Sequence, residues 1–393
     1  MTYLLIGIAV VLFAEKAWKH LMVVRFFRRP WPAARREPQL VSVLQPILSG
    51  DPTLRRCLEQ NVRTPCRYAR ELLWLVDDTD AEGQAICRDL IARHPGQVVR
   101  LLLLPPPADR CSPKMLKLLA AIPQARGDVI CVLDDDTVLP EHGLEECLPY
   151  LDGEGVGLAF GLPYYVSFGN LWSRLVAYFV NSHSLLTYVP YTYLVEPFTI
   201  NGMFYAFRRD VYEATGGFAG LETILADDFA VARHFRSKGY RLAQTPLRHA
   251  ISTHVESLGA YFRLLHRWFV FPRETLMKAM PWRNLALAYG LGLVSALAPL
   301  GLAVAALVSL DGWVTALAVH YVAYHYAIFA HFNLAYLRRA SPWGWSWLVV
   351  FIQLFLPLQL LAAIVLPQRI RWRGHVMQIE PGGGFRFVER RTR

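Results

Sequence analysis

The chain begins and ends with apolar blocks, and its middle alternates. "YLLIGIAVVLFA" forms residues 3–14, and residues 285–366 are almost wholly apolar. Between them, short apolar runs interleave with longer amphipathic ones. "LVSVLQPIL" (40–48), "ELLWLVDD" (71–78), "VRLLLL" (99–104) and "DVICVLDDD" (128–136) have the length and continuous apolarity of buried strands. "TLRRCLEQNV" (53–62), "AICRDLIARH" (85–94) and "KMLKLLAAIPQA" (114–125) have helical spacing. Strands alternating with helices predict an α/β domain with a mainly parallel sheet covered on both faces. The division expected is an N-terminal transmembrane anchor with a basic flank (1–36), a globular domain (37–281), membrane helices (282–368) and a basic tail (369–393).

A helix crossing a hydrocarbon core needs about 20 residues. The N-terminal run reaches that length if it continues past Glu15 and Lys16 to Val24, and its positive charges follow it, as in an uncleaved anchor. Three distal candidates are 284–310, 313–337 and 345–367. Three full crossings would put the arginine-rich tail on the side opposite the globular domain, against the positive-inside tendency. One candidate is therefore expected to be re-entrant or interfacial, with Pro299 and Pro357 as candidate break points.

Composition agrees with a membrane component, since the 54% hydrophobic share exceeds the roughly 45–50% of soluble chains. The net charge of +10 does not imply nucleic acid, because it is concentrated beside the apolar blocks. Residues 16–36 carry two Lys and five Arg with no acid, and residues 369–393 carry seven Arg against two Glu. Such clusters read as cytoplasmic-side anchors at anionic lipid. The six cysteines, Cys57, Cys66, Cys87, Cys111, Cys131 and Cys147, form no CxxC pair, so reduced thiols are expected rather than zinc or disulfides.

Two acidic clusters stand at predicted strand ends: Asp77, Asp78 and Asp80 after "LLWLV", and Asp134 to Asp136 after "VICVL". Ligands of parallel sheets bind beyond the carboxyl ends of strands, so one site could use both. Asp134 and Asp136 form a D-x-D pair able to hold a hard divalent cation, Mg2+ or Mn2+, that grips a diphosphate. A solvated acidic turn is the plain alternative. Asp227 and Asp228 are adjacent and repel, so one is expected in a less polar setting with a raised pKa while the other pairs or faces water. "AYFRLLHRWFVFPR" (260–273) mixes aromatic and basic residues, as in a segment lying on a membrane surface. "GGG" (382–384) precedes no predicted helix and reads as tail rather than phosphate loop.

Several segments, in order, resemble the ceramide glucosyltransferases and their bacterial relatives, membrane enzymes with a GT-A nucleotide-sugar domain. They are "VSVLQPILSGDPTL", "SPKMLKLLAAIPQARGDVICVLDDD", "GLPY" (161–164), "NGMFYAFRRDVYEATGGF", "ADDFAVARHFRSKGYRL" and "IRWRG". The resemblance implies an inverting hexosyltransferase that moves glucose from UDP-glucose to the hydroxyl of ceramide, with the catalytic domain on the cytoplasmic face of an integral membrane protein. A bacterial protein would place it in the inner membrane. By the same resemblance Asp78 or Asp80 contacts the nucleotide, Asp134 and Asp136 bind the metal, and Asp228 is the catalytic base. Arg267 and Trp268 match the end of a (Q/R)xxRW motif whose first position is Leu264 here. Arg267 could grip the leaving diphosphate and Trp268 wall the nucleotide or sugar. His183 matches a family histidine, although a helix-surface residue is the plain alternative. Tyr164, Tyr165 and the tyrosines of 188–193 are expected around the acceptor. Other readings are another acceptor lipid such as a hopanoid, a processive polysaccharide synthase, or a membrane scaffold with an inactive sugar-nucleotide fold.

Overall fold

The computed structural model describes residues 2–106, 110–274, 276–365, 369–372, 375–380 and 384–389. Gly382, Gly383 and the last four residues of the basic tail lie outside these. Eight strands form one sheet: β1 (Val41–Ile47), β2 (Arg70–Asp77), β3 (Val99–Leu104), β4 (Val129–Leu133), β5 (Thr137–Val138), β6 (Val156–Tyr165), β7 (Phe204–Arg208) and β8 (Arg241–Ile251). Their order is β3-β2-β1-β4-β7-β6-β8-β5. The pairs β3–β2, β2–β1 and β1–β4 are parallel, as expected, and so is β6–β8. Strand β7 is inserted antiparallel to both β4 and β6.

Residue alternation along the strands builds a core on each face. In β2, Leu72, Trp74 and Val76 face one cluster, while Leu73 and Leu75 face another. Helices α2 (Leu54–Arg63) and α3 (Ala81–Arg93) cover the first face through Leu58, Val62 and Leu90. Helix α4 (Pro113–Ala121) covers the second through Met115 and Leu118, capped by Ser112 and started by Pro113. Short helices α5 (Gly143–Cys147) and α7 (Arg209–Thr215) and the longer α6 (Leu171–Tyr188), α8 (Asp227–Ser237) and α9 (Leu258–Glu274) complete the domain. All six cysteines are free thiols.

The apolar blocks fold as helices against this domain. They are α1 (Thr2–Phe27), α10 (Trp282–Ser309), α11 (Gly312–Ala335) and α12 (Leu348–Val365). Helix α10, 28 residues, is long and apolar enough to cross a membrane. Pro299 and Pro357 lie inside helices and break neither. In α10 the irregularity lies upstream of the proline, as a π-helical stretch at Ala288–Val294. At the far end of the bundle Thr2 donates to Asp311, in the turn joining α10 to α11. At the near end the Phe27 and Tyr336 rings stack, 4.3 Å apart. The three helices therefore run between the same two levels.

Helix α12 behaves differently, packing Leu348, Val349, Ile352 and Leu356 against Val255, Tyr261 and Leu265 of the domain. The tail then forms a small sheet, β9 (Arg369–Trp372), β10 (His375–Ile379) and β11 (Phe385–Glu389), whose Ile370, Met377 and Phe385 pack on Leu225 and Val270. The described part of the tail therefore packs on the globular domain, and α12 reaches it with Pro357 inside an unbroken helix.

A buried amide joins the two parts. Asn181 of α6 accepts from the Tyr165 N–H at 2.7 Å, donates to the Tyr165 carbonyl at 2.9 Å and donates to Ser341 Oγ at 2.9 Å. Ser341 is held in turn by Asn333 of α11, which donates to its carbonyl and accepts from its N–H. Replacing Asn181 by Leu leaves two backbone groups at the end of β6 without partners. Each such group costs about 1–3 kcal/mol, so Asn181→Leu is expected to lower the thermal midpoint measurably in detergent, and an unchanged melting curve would show that this link carries no stability.

Candidate active site

The sheet topology makes the site. Strand β1 is flanked by β2 on one side and β4 on the other, so the chain reverses direction across the sheet there, which is where open α/β sheets bind ligands. Because β7 runs antiparallel to β4, Phe204 pairs with Leu133 and the segment before β7 meets the D-x-D turn. The Asp134 N–H donates to Met203 O at 2.9 Å. From the other side β8 brings Thr253, whose hydroxyl donates to Asp136 Oδ2 at 2.8 Å.

The three acids of the turn divide their work. Asp135 is buried and accepts from the Leu48 N–H at 2.9 Å, fastening the end of β1. Asp134 and Asp136 both border a cavity of about 1820 Å³. Of the first cluster, Asp77 is buried and paired with Lys117 at 3.1 Å, while Lys117 also donates to the Ile47 carbonyl at 2.7 Å. Asp80 caps α3 through the Gly83 N–H and accepts from the backbone and hydroxyl of Ser49. Burial alone would raise its pKa, but these donors hold it below the ordinary aspartate value. Asp80 borders the cavity with its carboxylate engaged in fastening two loops. The Asp78 side chain is exposed and is not among the cavity-lining residues.

Lys114, which the sequence reading did not single out, organises the centre. Its ammonium lies 2.8 Å from Asp134 and 2.9 Å from Asp227 and donates to the Gly202 carbonyl at 2.7 Å. Burial would lower its pKa, yet the two carboxylates hold it well above the ordinary lysine value. Asp134 is pushed up to about 6, first by burial and then by the charges of Asp136 and Asp227, which together outweigh Lys114. The lysine stands two positions behind Ser112 in the motif "SPK", on the first turn of a helix aimed at the acids. That placement is the signal that could have found it.

Asp227 and Asp228 start α8, and only Asp227 pairs with Lys114. Burial, then the adjacent Asp227, pushes Asp228 up to about 7. Gly202 permits this proximity, since a Cβ there would sit 3.0 Å from the Asp228 Cβ. Next to it, Asn201 accepts from the buried His249 Nε2 at 3.1 Å, and its amide points to the Tyr188 hydroxyl at 3.5 Å. Burial depresses His249 to about 3, so it stays neutral and serves as a fixed donor.

Leu264, Arg267 and Trp268 lie on one face of α9 and border the same cavity. The Trp268 ring is edge-on to Tyr165 at 6.0 Å and 6.2 Å from Phe179. Tyr165, His183, Tyr188 and Tyr191 also line it, whereas Tyr164 packs toward α1 and Tyr193 against Arg29. The structure therefore brings Asp80, Asp134, Asp136, Asp228, Arg267 and Trp268 to one cavity and leaves Asp78 outside. That cavity continues past His183 into the helix bundle, to Pro299 and Leu360.

Asp134 and Asp136 offer hard oxygen donors at a spot where three like charges are offset by one ammonium, which suits a hard divalent cation. Among the described residues, no group of three His, Cys, Asp or Glu side chains forms a metal cage, so such an ion would complete its shell from its ligand.

With this geometry established, comparison with known proteins assigns the family. Ceramide glucosyltransferase 1 of Caenorhabditis elegans is 25% identical over 239 residues, covering 58% of this chain and 48% of that protein, so the match spans about half of that relative. The structure of the mannosyltransferase PcManGT from Pyrobaculum calidifontis, in complex with GDP-Man and Mn2+, superposes over 92% of this chain and 98% of its own. The TM-score is 0.53 at 19% identity, which establishes a shared glycosyltransferase fold. The sequence profile of glycosyl transferase family 21 matches residues 3–385, so the chain belongs to that family, the ceramide glucosyltransferase family that its motifs resemble.

Proposed function

We propose that this glycosyltransferase moves a sugar, glucose from UDP-glucose, to the hydroxyl of a membrane lipid of the ceramide type, with inversion at the anomeric carbon. One cavity joins the acidic strand ends to the interior of an apolar helix bundle, and Asp228 stands between them. That continuity carries the reading, because a polar donor and a lipid acceptor can meet there without either leaving its own medium. Tyr3, Val10 and Val11 of α1 and Val304, Leu307 and Val308 of α10 are exposed on the outside of the bundle, as lipid-facing residues are. In this reading α1, α10 and α11 cross the bilayer, α12 lies at the interface, and the domain and tail share the cytoplasmic side with the basic segments.

The acceptor hydroxyl gives its proton to the Asp228 carboxylate as its oxygen attacks the anomeric carbon from the face opposite the diphosphate. The bond from that carbon to the diphosphate oxygen breaks, and a single displacement inverts the centre. Arg267 and Lys114 lie in the cavity to stabilise charge on the leaving group. A divalent ion held by Asp134 and Asp136, of the kind PcManGT carries with GDP-Man, would neutralise the diphosphate when bound. Asp227, tied to Lys114, supplies the charge that keeps Asp228 basic. Trp268 and Tyr165 wall the sugar.

Two experiments test this with purified enzyme, UDP-glucose and ceramide. Asp228→Asn should cut turnover by about 100- to 10,000-fold with nucleotide affinity nearly unchanged; near-normal turnover would overturn the base assignment. In the native enzyme, kcat should rise with pH through about 7 as Asp228 loses its proton. Removing the neighbouring charge in Asp227→Asn lowers the Asp228 pKa, so that limb should move to lower pH in the same profile. Separately, Asp134→Asn with Asp136→Asn should abolish the Mn2+ dependence of UDP binding measured by calorimetry, because amides cannot neutralise the bridging ion as carboxylates do. Retained metal dependence would reduce the turn to a solvated one.

A further inference from the structure

The cavity has a second polar end, deep among the helices, that the transfer step leaves unused. Lys16 and Lys19 of α1, His325 of α11 and Gln353 of α12 line it, and each is at most 6% exposed. Lys19 is neutralised by Glu15 one turn earlier and donates to the Leu291 carbonyl. Glu15 also accepts from Ser295 Oγ at 3.2 Å. Glu15 and Lys19 therefore cancel.

Lys16 is not matched in this way. Among the described residues no carboxylate lies within 4.0 Å of it; its contacts are His325 Nδ1 at 3.3 Å and the face of Tyr321, with the ring centre 3.8 Å away. With Lys16 as an ammonium, which can only donate, His325 Nδ1 accepts and its Nε2 carries the hydrogen. Among the described residues that Nε2 is buried without a hydrogen-bond partner, as is Gln353 Oε1. The pocket thus presents spare N–H donors on Lys16, a basic group that an anion would hold in its charged form, beside the His325 ring, in a wall that also includes Pro299, Leu356 and Leu360. Leaving buried donors and a charge unpaired costs free energy that a ligand with anionic oxygens would remove.

We propose that the Lys16–His325 pocket binds the anionic headgroup of a membrane lipid, a phosphate or carboxylate, with its acyl chains along the apolar wall. This rests on the reading of the cavity as the acceptor's site and adds to it a charged lipid seated beside the neutral acceptor. The carboxylates at the other end of the cavity repel such a headgroup, so its position is fixed by charge as well as by shape.

The test is thermal unfolding of the full chain in neutral-detergent micelles doped with dioleoyl-phosphatidate, without nucleotide sugar. Dioleoyl-glycerol and inorganic phosphate are the controls. Phosphatidate should raise the melting temperature, and neither control should. Lys16→Met should abolish the rise while leaving the lipid-free melting temperature no lower, because the variant removes an unmatched buried charge. Lys16→Arg should retain the rise, and His325→Phe should weaken phosphatidate binding by on the order of 10-fold. An equal rise in native protein and Lys16→Met overturns the proposal, as does an equal rise with inorganic phosphate or diacylglycerol. Should Lys16→Met not fold, failure of Lys16→Arg to respond to phosphatidate overturns it as well. Because no transfer is measured, a lipid-binding enzyme that does not glucosylate ceramide counts against the proposed reaction alone, and ceramide glucosylation without phosphatidate binding counts against this pocket alone.

Discussion

The centre of the molecule depends on one ammonium among carboxylates. Asp134 and Asp227 come from segments 93 positions apart, and Lys114 holds them within 3 Å of its Nζ. Without it, Asp134, Asp136, Asp227 and Asp228 would be like charges crowded into one recess, which is unfavourable unless they are protonated or paired. With it, Asp227 is matched, Asp134 is partly matched, and Asp228 carries the remaining repulsion as a raised pKa. The acidity pattern of the site therefore follows first from burial and then from which carboxylates the one lysine reaches. Its third donor, to Gly202 O, ties the same point to the backbone that seats Asp228.

The sheet exists in the form that permits this contact. Parallel strands β2, β1 and β4 deliver their carboxyl ends to one edge, but a purely parallel sheet would carry the chain away from it after each strand. The antiparallel insertion of β7 between β4 and β6 brings the segment Asn201–Met203 back to the D-x-D turn, and α8 follows from the same half of the domain. Strand β8 closes the other flank with Thr253. Acids that the chain lists far apart become neighbours because one strand reverses direction.

Much of this was legible in the sequence, for reasons that differ by element. Strands β1, β2 and β4 announced themselves because they are buried on both faces and read as unbroken apolar runs of strand length, and β3, though a partly exposed edge strand, is as apolar. The acids at their ends were conspicuous because adjacent carboxylates have no packing reason to be there. The split between Asp227 and Asp228 followed from repulsion alone. Strand β7, "FYAFR", was not placed, since five buried residues show no period that distinguishes a strand from part of a helix. Asp80 looked like a ligand from its position, and only coordinates reveal that Ser49 and Gly83 occupy its oxygens. The prolines suggested breaks, yet both lie inside continuous helices. Lys16 and His325 are 309 positions apart, and no local pattern could pair them.

The two ends of the cavity differ in chemistry, acidic at the sheet edge and basic among the helices. Carboxylates gather at the sheet edge, where water and a cation can reach them. Lys16, buried and without a carboxylate within 4.0 Å among the described residues, lies among helices whose outer faces are apolar. Asp228 is raised first by burial and then by the charge of Asp227, and the same burial that raises a carboxylate disfavours the charged form of a lysine such as Lys16. Low polarity thus acts on both ends of the cavity with opposite sign, making the acid at one end more basic and leaving the donors at the other in need of a partner.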